Sequence, residues 1–249
     1  MQYGVCNLST ISIRSQPVDT SEQVSQLLFG EHFKVLEQRK YWSYIRHAFD
    51  KCEGWINNRQ LILITEDVFK KLDAEETLLS DNLVDYVSDG INLIPIVLGS
   101  HINATRVLNF DFEGNVRQGV KNREEVIQSA LFYLNTPYCW GGRSPFGMDC
   151  SGFTQMVYKL NGYKLLRDAE QQATQGEPLS FIEESEQGDL AFFDNDEGKI
   201  IHVGIIMKDN YLIHSHGKVR IDRIDHTGIF NTEMGLYSHK LRVIKRIIP

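Results

Sequence analysis

Asp149-Cys150-Ser151-Gly152-Phe153-Thr154-Gln155-Met156-Val157-Tyr158-Lys159-Leu160 is the stretch on which the reading of the whole chain turns. Phe153, Met156, Val157 and Leu160 recur at i, i+3, i+4 and i+7, which predicts an amphipathic helix from about Cys150 to Asn161-Gly162. Cys150 then sits in the first turn, where unpaired backbone N–H groups and the positive end of the helix dipole favour an anion. A thiolate is such an anion. A free cysteine titrates near ~8.5, and a helix start together with a neighbouring imidazolium can lower that value by units. The same N–H groups can receive an oxyanion. A cysteine drawn at random is more often a small buried hydrophobe. Asp149, Ser151 and Gly152 are poor company for that role.

Outward toward the amino end, Asn122 can cap a helix with Glu125 three positions on, and Val126, Ile127, Ala130, Leu131 and Leu134 form its apolar face before Asn135-Thr136-Pro137 ends it. Outward toward the carboxyl end come β-like runs at Asp189–Phe193, Ile200–Met207, Tyr211–His214 and Leu241–Ile248. Helices followed by strands imply an α+β unit. His202 lies in the apolar run Ile200 to Ile206, and Lys208-Asp209-Asn210 turns the chain back into Tyr211-Leu212-Ile213-His214. If the loop has an odd number of residues, His202 and His214 share a face of the hairpin. His216 has the same parity, so spacing alone leaves open which of the two orients His202. General triad logic then makes Cys150 the nucleophile, His202 the base, and one further histidine the group that fixes the tautomer of His202. A zinc site from Cys150, His202, His214 and His216 is the competing chemistry, but no ligand pair has close helical or knuckle spacing. Neither a metal nor another cofactor is expected.

Residues 1–64 carry short apolar runs at Val24–Leu28, Phe33–Leu36, Trp42–Ile45, Trp55-Ile56 and Leu61–Ile64, punctuated by Gly30, Asp50-Lys51 and Gly54, the pattern of a small all-β barrel. Residues 65–120 begin with a short helical stretch, Glu66–Leu72. They continue with β-like runs at Leu83–Val87, Ile91–Leu98 and Val107–Phe112, read as a second, reduced barrel or a β-rich linker. Residues 121–249 form the third segment. The 249-residue chain has the 42% hydrophobic and 24% charged residues of an ordinary globular protein and a net charge of −7. The acidic balance and scattered Lys and Arg argue against nucleic acid as a partner. No apolar run reaches the roughly 18 residues of a membrane span. Met1-Gln2-Tyr3-Gly4 lacks the basic, then apolar, opening of a signal peptide. A cytoplasmic monomer with no membrane partner is expected, or a periplasmic or exported protein if a leader is missing. The four cysteines are too few for a disulfide scaffold and lack Cys-x-x-Cys spacing.

Five ordered motifs together resemble the NlpC-type (NlpC/P60) cell-wall cysteine peptidases: Thr136-Pro137-Tyr138-x-Trp140-Gly141-Gly142, Asp149-Cys150-Ser151-Gly152-Phe153, Gly188-Asp189-Leu190-x-Phe192-Phe193, His202-Val203-Gly204-Ile205 and Ile213-His214. The amino-terminal segment resembles a bacterial SH3-like domain in Arg14-Ser15-Gln16-Pro17, Trp42-Ser43-Tyr44-Ile45 and Gly54-Trp55-Ile56. The resemblance implies a papain-like peptidase preceded by one or two SH3-like barrels, and it selects His214 over His216 as the third residue. It implies hydrolysis of peptidoglycan stem peptides between γ-D-glutamate and a diamino acid, in the subgroup that requires a free amino-terminal L-Ala and uses the SH3-like module to narrow its cleft. Carried over, Tyr138 would line the site, Asp149 or Asp168 would meet the substrate ammonium, and Ser151 would contact the D-glutamyl part. The subgroup's Arg-Asp-Ser-x-x-Gln stretch stands here as Arg167-Asp168-Ala169-Glu170-Gln171-Gln172, so a hydroxyl is missing at Ala169. Arg167 and Asp168 also fit a plain surface pair at a helix start. An amidase or acyltransferase of the same fold, or an inactive wall-binding protein, are the alternative functions.

Overall fold

The computed structural model describes residues 1–249, which divide into two compact units: Met1–Gly119 with Trp140–Pro145, and Val120–Cys139 with Phe146–Pro249. In the first unit, β1 (Gln2–Val5), β2 (Thr10–Arg14), β3 (Gln23–Leu28), β4 (His32–Gln38), β5 (Trp42–His47), β6 (Glu53–Asn57) and β7 (Ile62–Ile64) form one antiparallel sheet in the order β3-β2-β6-β5-β4-β1-β7. Alternation turns Ile11, Ile13, Val35 and Ile45 inward, where they pack with Leu27, Phe33 and Ile56. Cys6 lies in that core and donates its S–H to the Leu8 carbonyl at 3.2 Å, so it is a packing residue.

Glu31 is fully buried and receives both Arg143 nitrogens, Nη1 at 2.9 Å and Nη2 at 3.0 Å, while Arg143 Nη1 also donates to the Gln26 carbonyl at 2.6 Å. His47 stands 3.4 Å from Glu31 and 2.9 Å from Asp50. A bidentate, hydrogen-bonded pair is the arrangement in which a buried carboxylate is tolerated. Removing either partner strands the other, at a cost of about 3–5 kcal/mol.

The rest of this unit is α1 (Glu66–Ala74), the ribbon β8 (Leu79–Ser80) with β11 (Val116–Arg117), and the ribbon β9 (Val84–Ser88) with β10 (Leu93–Val97). The strand expected at Val107–Phe112 is absent. A short helix, α2 (Thr105–Leu108), ends at Asn109 in the left-handed region at φ 56°, which a strand cannot pass through. The apolar residues there serve packing: Phe110 meets the edge of Phe29 with ring centres 5.9 Å apart.

In the second unit α3 (Arg123–Leu131) begins with a capping box, Glu125 N donating to Asn122 Oδ1 at 3.0 Å and Asn122 N to Glu125 Oε2 at 3.3 Å. The central helix α4 (Cys150–Leu160) is buried at every residue. Its polar side chains are therefore matched internally. Gln155 reaches the Leu165 carbonyl, Thr154 reaches Gln172 at 2.7 Å, and Tyr158 donates to the Gly188 carbonyl. After α5 (Ala169–Gln172) come β12 (Glu177–Leu179), β13 (Leu190–Asp194), β14 (Ile200–Ile206), β15 (Tyr211–His216), β16 (Lys218–Ile224), β17 (Gly228–Asn231) and β18 (Leu236–Arg246). They pair antiparallel in the order β12-β18-β13-β14-β15-β16-β17, and the long β18 also pairs with β17, closing six strands on themselves. Of the apolar run expected at Leu241–Ile248, Leu241 to Arg246 form the second half of β18, and Ile247 and Ile248 lie beyond it. β16 escaped sequence reading because Lys218, Arg220, Asp222 and Arg223 interrupt its apolar positions.

Candidate active site

The β14–β15 hairpin decides which histidines meet. Ile206 pairs with Leu212 and Gly204 with His214, leaving five residues, Met207 to Tyr211, between the last paired positions. The loop is odd, so His202 and His214 share a face. His202 Nε2 lies 2.7 Å from His214 Nδ1, and both side chains are buried. His216 is exposed, and its ring centre stands 6.3 Å from that of His202. Gly204 is what lets the rings approach, because a Cβ there would come within 2.9 Å of His214 Cβ.

Cys150 enters from α4. Asp149 caps the helix, its Oδ1 accepting from Gly152 N at 2.6 Å. Ser215 Oγ on β15 donates to the Met148 carbonyl at 2.9 Å, tying the helix start to the histidine strand. Cys150 is 8% exposed, and the backbone N–H groups of Val203, the residue after His202, and of Ser151 favour its thiolate. Burial, then the charge of Asp149, pushes the Cys150 thiol up to about 12 against these donors and Arg167. The expectation that the helix start and a neighbouring imidazolium together lower the thiol is thus corrected: lost hydration outweighs the dipole, and burial disfavours the imidazolium at His202. Burial, then the neighbouring His214, His239 and His216, holds His202 well below its ordinary value. Burial thus disfavours both the thiolate of Cys150 and the imidazolium of His202.

Two groups not foreseen in the sequence complete this cluster. His239 on β18 stacks on His202, ring centres 4.2 Å apart at 25°, and burial holds it down to about 4. Asp222 on β16 receives His214 Nε2 at 3.1 Å. His214 thereby commits both ring nitrogens to protein partners, and the four-ligand zinc arrangement finds none free on it. The alternation that pairs His202 with His214 also puts Asp222 on the His214 face, since His214 pairs with Arg220 and Leu212 with Asp222. That was the available signal.

Tyr138 is partly exposed at 37%, its N–H bound to the Gly217 carbonyl, and burial, with Cys150 and Asp149 beside it, raises its hydroxyl to about 12. It stays a neutral donor. Arg167 is not a surface residue: at 2% exposed it meets Asp149 through Nη2 at 2.6 Å and Nη1 at 3.0 Å, and Ser151 Oγ at 3.0 Å. Asp149 is therefore matched by a cation within its own unit, whereas Asp168 is exposed at the start of α5. Ala169 is buried beside it. Gln172 completes the stretch by donating to the Ser151 carbonyl at 3.0 Å, so Arg167 to Gln172 grips the first turn of α4.

The NlpC/P60 family model matches residues 135–236, and that of the bacterial dipeptidyl-peptidase SH3 domain matches residues 13–61. A γ-D-glutamyl-L-lysine dipeptidyl-peptidase of Bacillus subtilis (strain 168) is 43% identical over 212 residues, 77% of this chain and 71% of that protein. Dipeptidyl-peptidase 6 of Lysinibacillus sphaericus is 24% identical over 249 residues, 86% of this chain and 89% of its own. The crystal structure of an NlpC/P60 family protein from Bacillus cereus ATCC 10987 shares the fold at a TM-score of 0.78 and 19% identity, over 99% of this chain and 100% of that one. With a thiol at a helix start beside a buried histidine pair, an SH3-like sheet ahead of it and these relatives, the chain belongs to the NlpC/P60 family and is a cysteine peptidase.

Proposed function

We propose that the protein hydrolyses the bond between γ-D-glutamate and the following diamino acid in peptidoglycan stem peptides with a free amino-terminal L-Ala. The observation that carries this reading is the 2.7 Å contact of His202 with His214, with the backbone N–H of Val203, the residue after His202, favouring the thiolate of Cys150. His202 takes the Cys150 proton as the sulfur attacks the γ-carbonyl carbon, and backbone N–H groups at the start of α4 receive the oxyanion. The C–N bond breaks as His202 returns that proton to the departing amine. Water, activated by the same imidazole, then releases the acyl group from sulfur. His214 orients His202 throughout.

Tyr138 lines the site in this reading as a hydroxyl donor, and Ser151 contacts the D-glutamyl part. Asp168, exposed at the start of α5, is the carboxylate proposed to meet the L-Ala ammonium. Asp149 serves beside it by fixing Arg167 and Ser151. A substrate whose amino end is free is a released peptide and not intact wall, so the proposed setting is recycling of such peptides in the cytoplasm, which fractionation tests.

The enzyme is tested with L-Ala-γ-D-Glu-diaminopimelate, its lysine counterpart, and the acetylated form of each. Release of the free diamino acid is expected, with kcat/KM lower on the order of a hundredfold after acetylation, because a charge-assisted bond worth roughly 1.5–3 kcal/mol is lost and bulk is added. Equal rates on free and acetylated peptides would remove the free-amine requirement. No release from any of them would overturn the proposal.

A further inference from the structure

The hydrogen-bonded row does not end at His214. Asp222 is 2% exposed, and besides His214 Nε2 it receives Arg220 Nε at 2.6 Å and Nη2 at 2.9 Å. Arg220 is itself steadied by Glu233 at 3.0 Å. A carboxylate held by a guanidinium fork can only accept. Burial works to raise the Asp222 carboxyl, yet the bonds from His214 and Arg220 outweigh it and hold the group at about 2. It is therefore an anion at neutral pH, and the nitrogen facing it, His214 Nε2, must carry a proton.

His214 is a neutral ring, because burial lowers it, with His216 and Arg220 acting the same way against Asp222. The other ring facing it, His239, has its centre 6.2 Å away. A neutral imidazole has one N–H, so Nδ1 of His214 is bare and accepts from Nε2–H of His202 across 2.7 Å. His202 then keeps its lone pair on Nδ1. We propose that Asp222, clamped by Arg220, is a positioning residue that sets the tautomers of His214 and, through it, of His202, so that His202 presents a bare nitrogen as base. This rests on reading Cys150, His202 and His214 as the catalytic set.

The tautomers are measured first in the unaltered full chain, by nitrogen-15 NMR of labelled histidines. Protonated Nε2 and bare Nδ1 on both rings are expected, and a protonated Nδ1 on His214 overturns the proposal. Asp222→Asn is then compared with wild type on L-Ala-γ-D-Glu-diaminopimelate. Arg220 Nε and His214 Nε2 share one carboxylate oxygen and Arg220 Nη2 takes the other, so the amide must set its NH2 against one of these donors and no longer supplies the negative charge that holds the proton on His214 Nε2. A kcat loss of roughly 10–100-fold with KM within about twofold is expected, the size seen when the partner orienting a functional histidine is removed. Loss of the negative charge also disfavours the His202 imidazolium, so the acidic limb of the pH profile, where the base takes up its proton, moves to lower pH.

A glutamine at 214 has no tautomer to set, so adding Asp222→Asn to His214→Gln should cost little more. An equal loss in both backgrounds would mean that Asp222 merely supports the sheet, and the proposal would fail. Cys150→Ala run alongside separates the two readings: if it turned over substrate like wild type, the catalytic set would be wrong, while the NMR result would still decide the tautomers.

Discussion

Cys150, His202 and His214 differ in what each does for a neutral thiol, and substitutions should rank accordingly. Cys150→Ala should abolish turnover with the fold intact, since it removes one sulfur from a helix start. His202→Ala should follow closely, while His214→Gln keeps measurable activity and His216→Ala, at an exposed position, changes rates little. Damage from His216→Ala with a harmless His214→Ala would reverse the assignment. Alkylation by iodoacetamide isolates the base from the substrate. With burial pushing the thiol to about 12, His202→Ala should label Cys150 at least tenfold more slowly at pH 7 and recover only in strong alkali. Equal labelling of the two proteins would mean that His202 is not the base.

At the scale of elements, the β14–β15 hairpin shows both the reach and the limit of sequence. That His202 and His214 share a face if the loop is odd was legible from the sequence, because a strand repeats every two residues, but the parity itself was not. Only the structure shows that five residues separate the paired positions, that His214 rather than His216 is within bonding distance, and that Gly204 makes room for it. Gly204→Ala should therefore push His214 away from His202 and lower kcat on the order of a hundredfold, with a loss of about 1–3 kcal/mol in stability from crowding. A variant with wild-type kcat would show that the hairpin absorbs the methyl group. The first turn of α4 was legible as a thiol site, but the grip of Arg167 on Asp149 was not. An arginine and an aspartate 18 residues apart have no periodicity to betray them. His239 and Asp222 were hidden for a related reason, since they come from strands whose polar residues mask the alternation that places them.

For the molecule as a whole, buried histidines set the response to acid. Burial holds His32 in the first unit and His239 in the second to about 4, and His202 and His214 are lowered as well. A folded value below the unfolded ~6.5 means that the unfolded chain binds more protons between about pH 6.5 and 4. Stability from these groups is fully present above about pH 6.5 and is lost as the pH falls toward 4. The urea midpoint should drop between pH 7 and 4.5, and less steeply in His239→Gln. A midpoint constant over that range would contradict the burial of these rings.

The buried pair of Glu31 and Arg143 has its own consequence for how the protein comes into being, because its members are 112 residues apart in a chain made from one end. At about 5–20 residues per second, the ribosome delivers the arginine roughly 6–22 seconds after the acid. Until then the amino-terminal sheet carries a carboxylate with no guanidinium to meet it. The first unit is thus expected to complete its buried ion pair only once the chain has been made as far as the loop before Cys150.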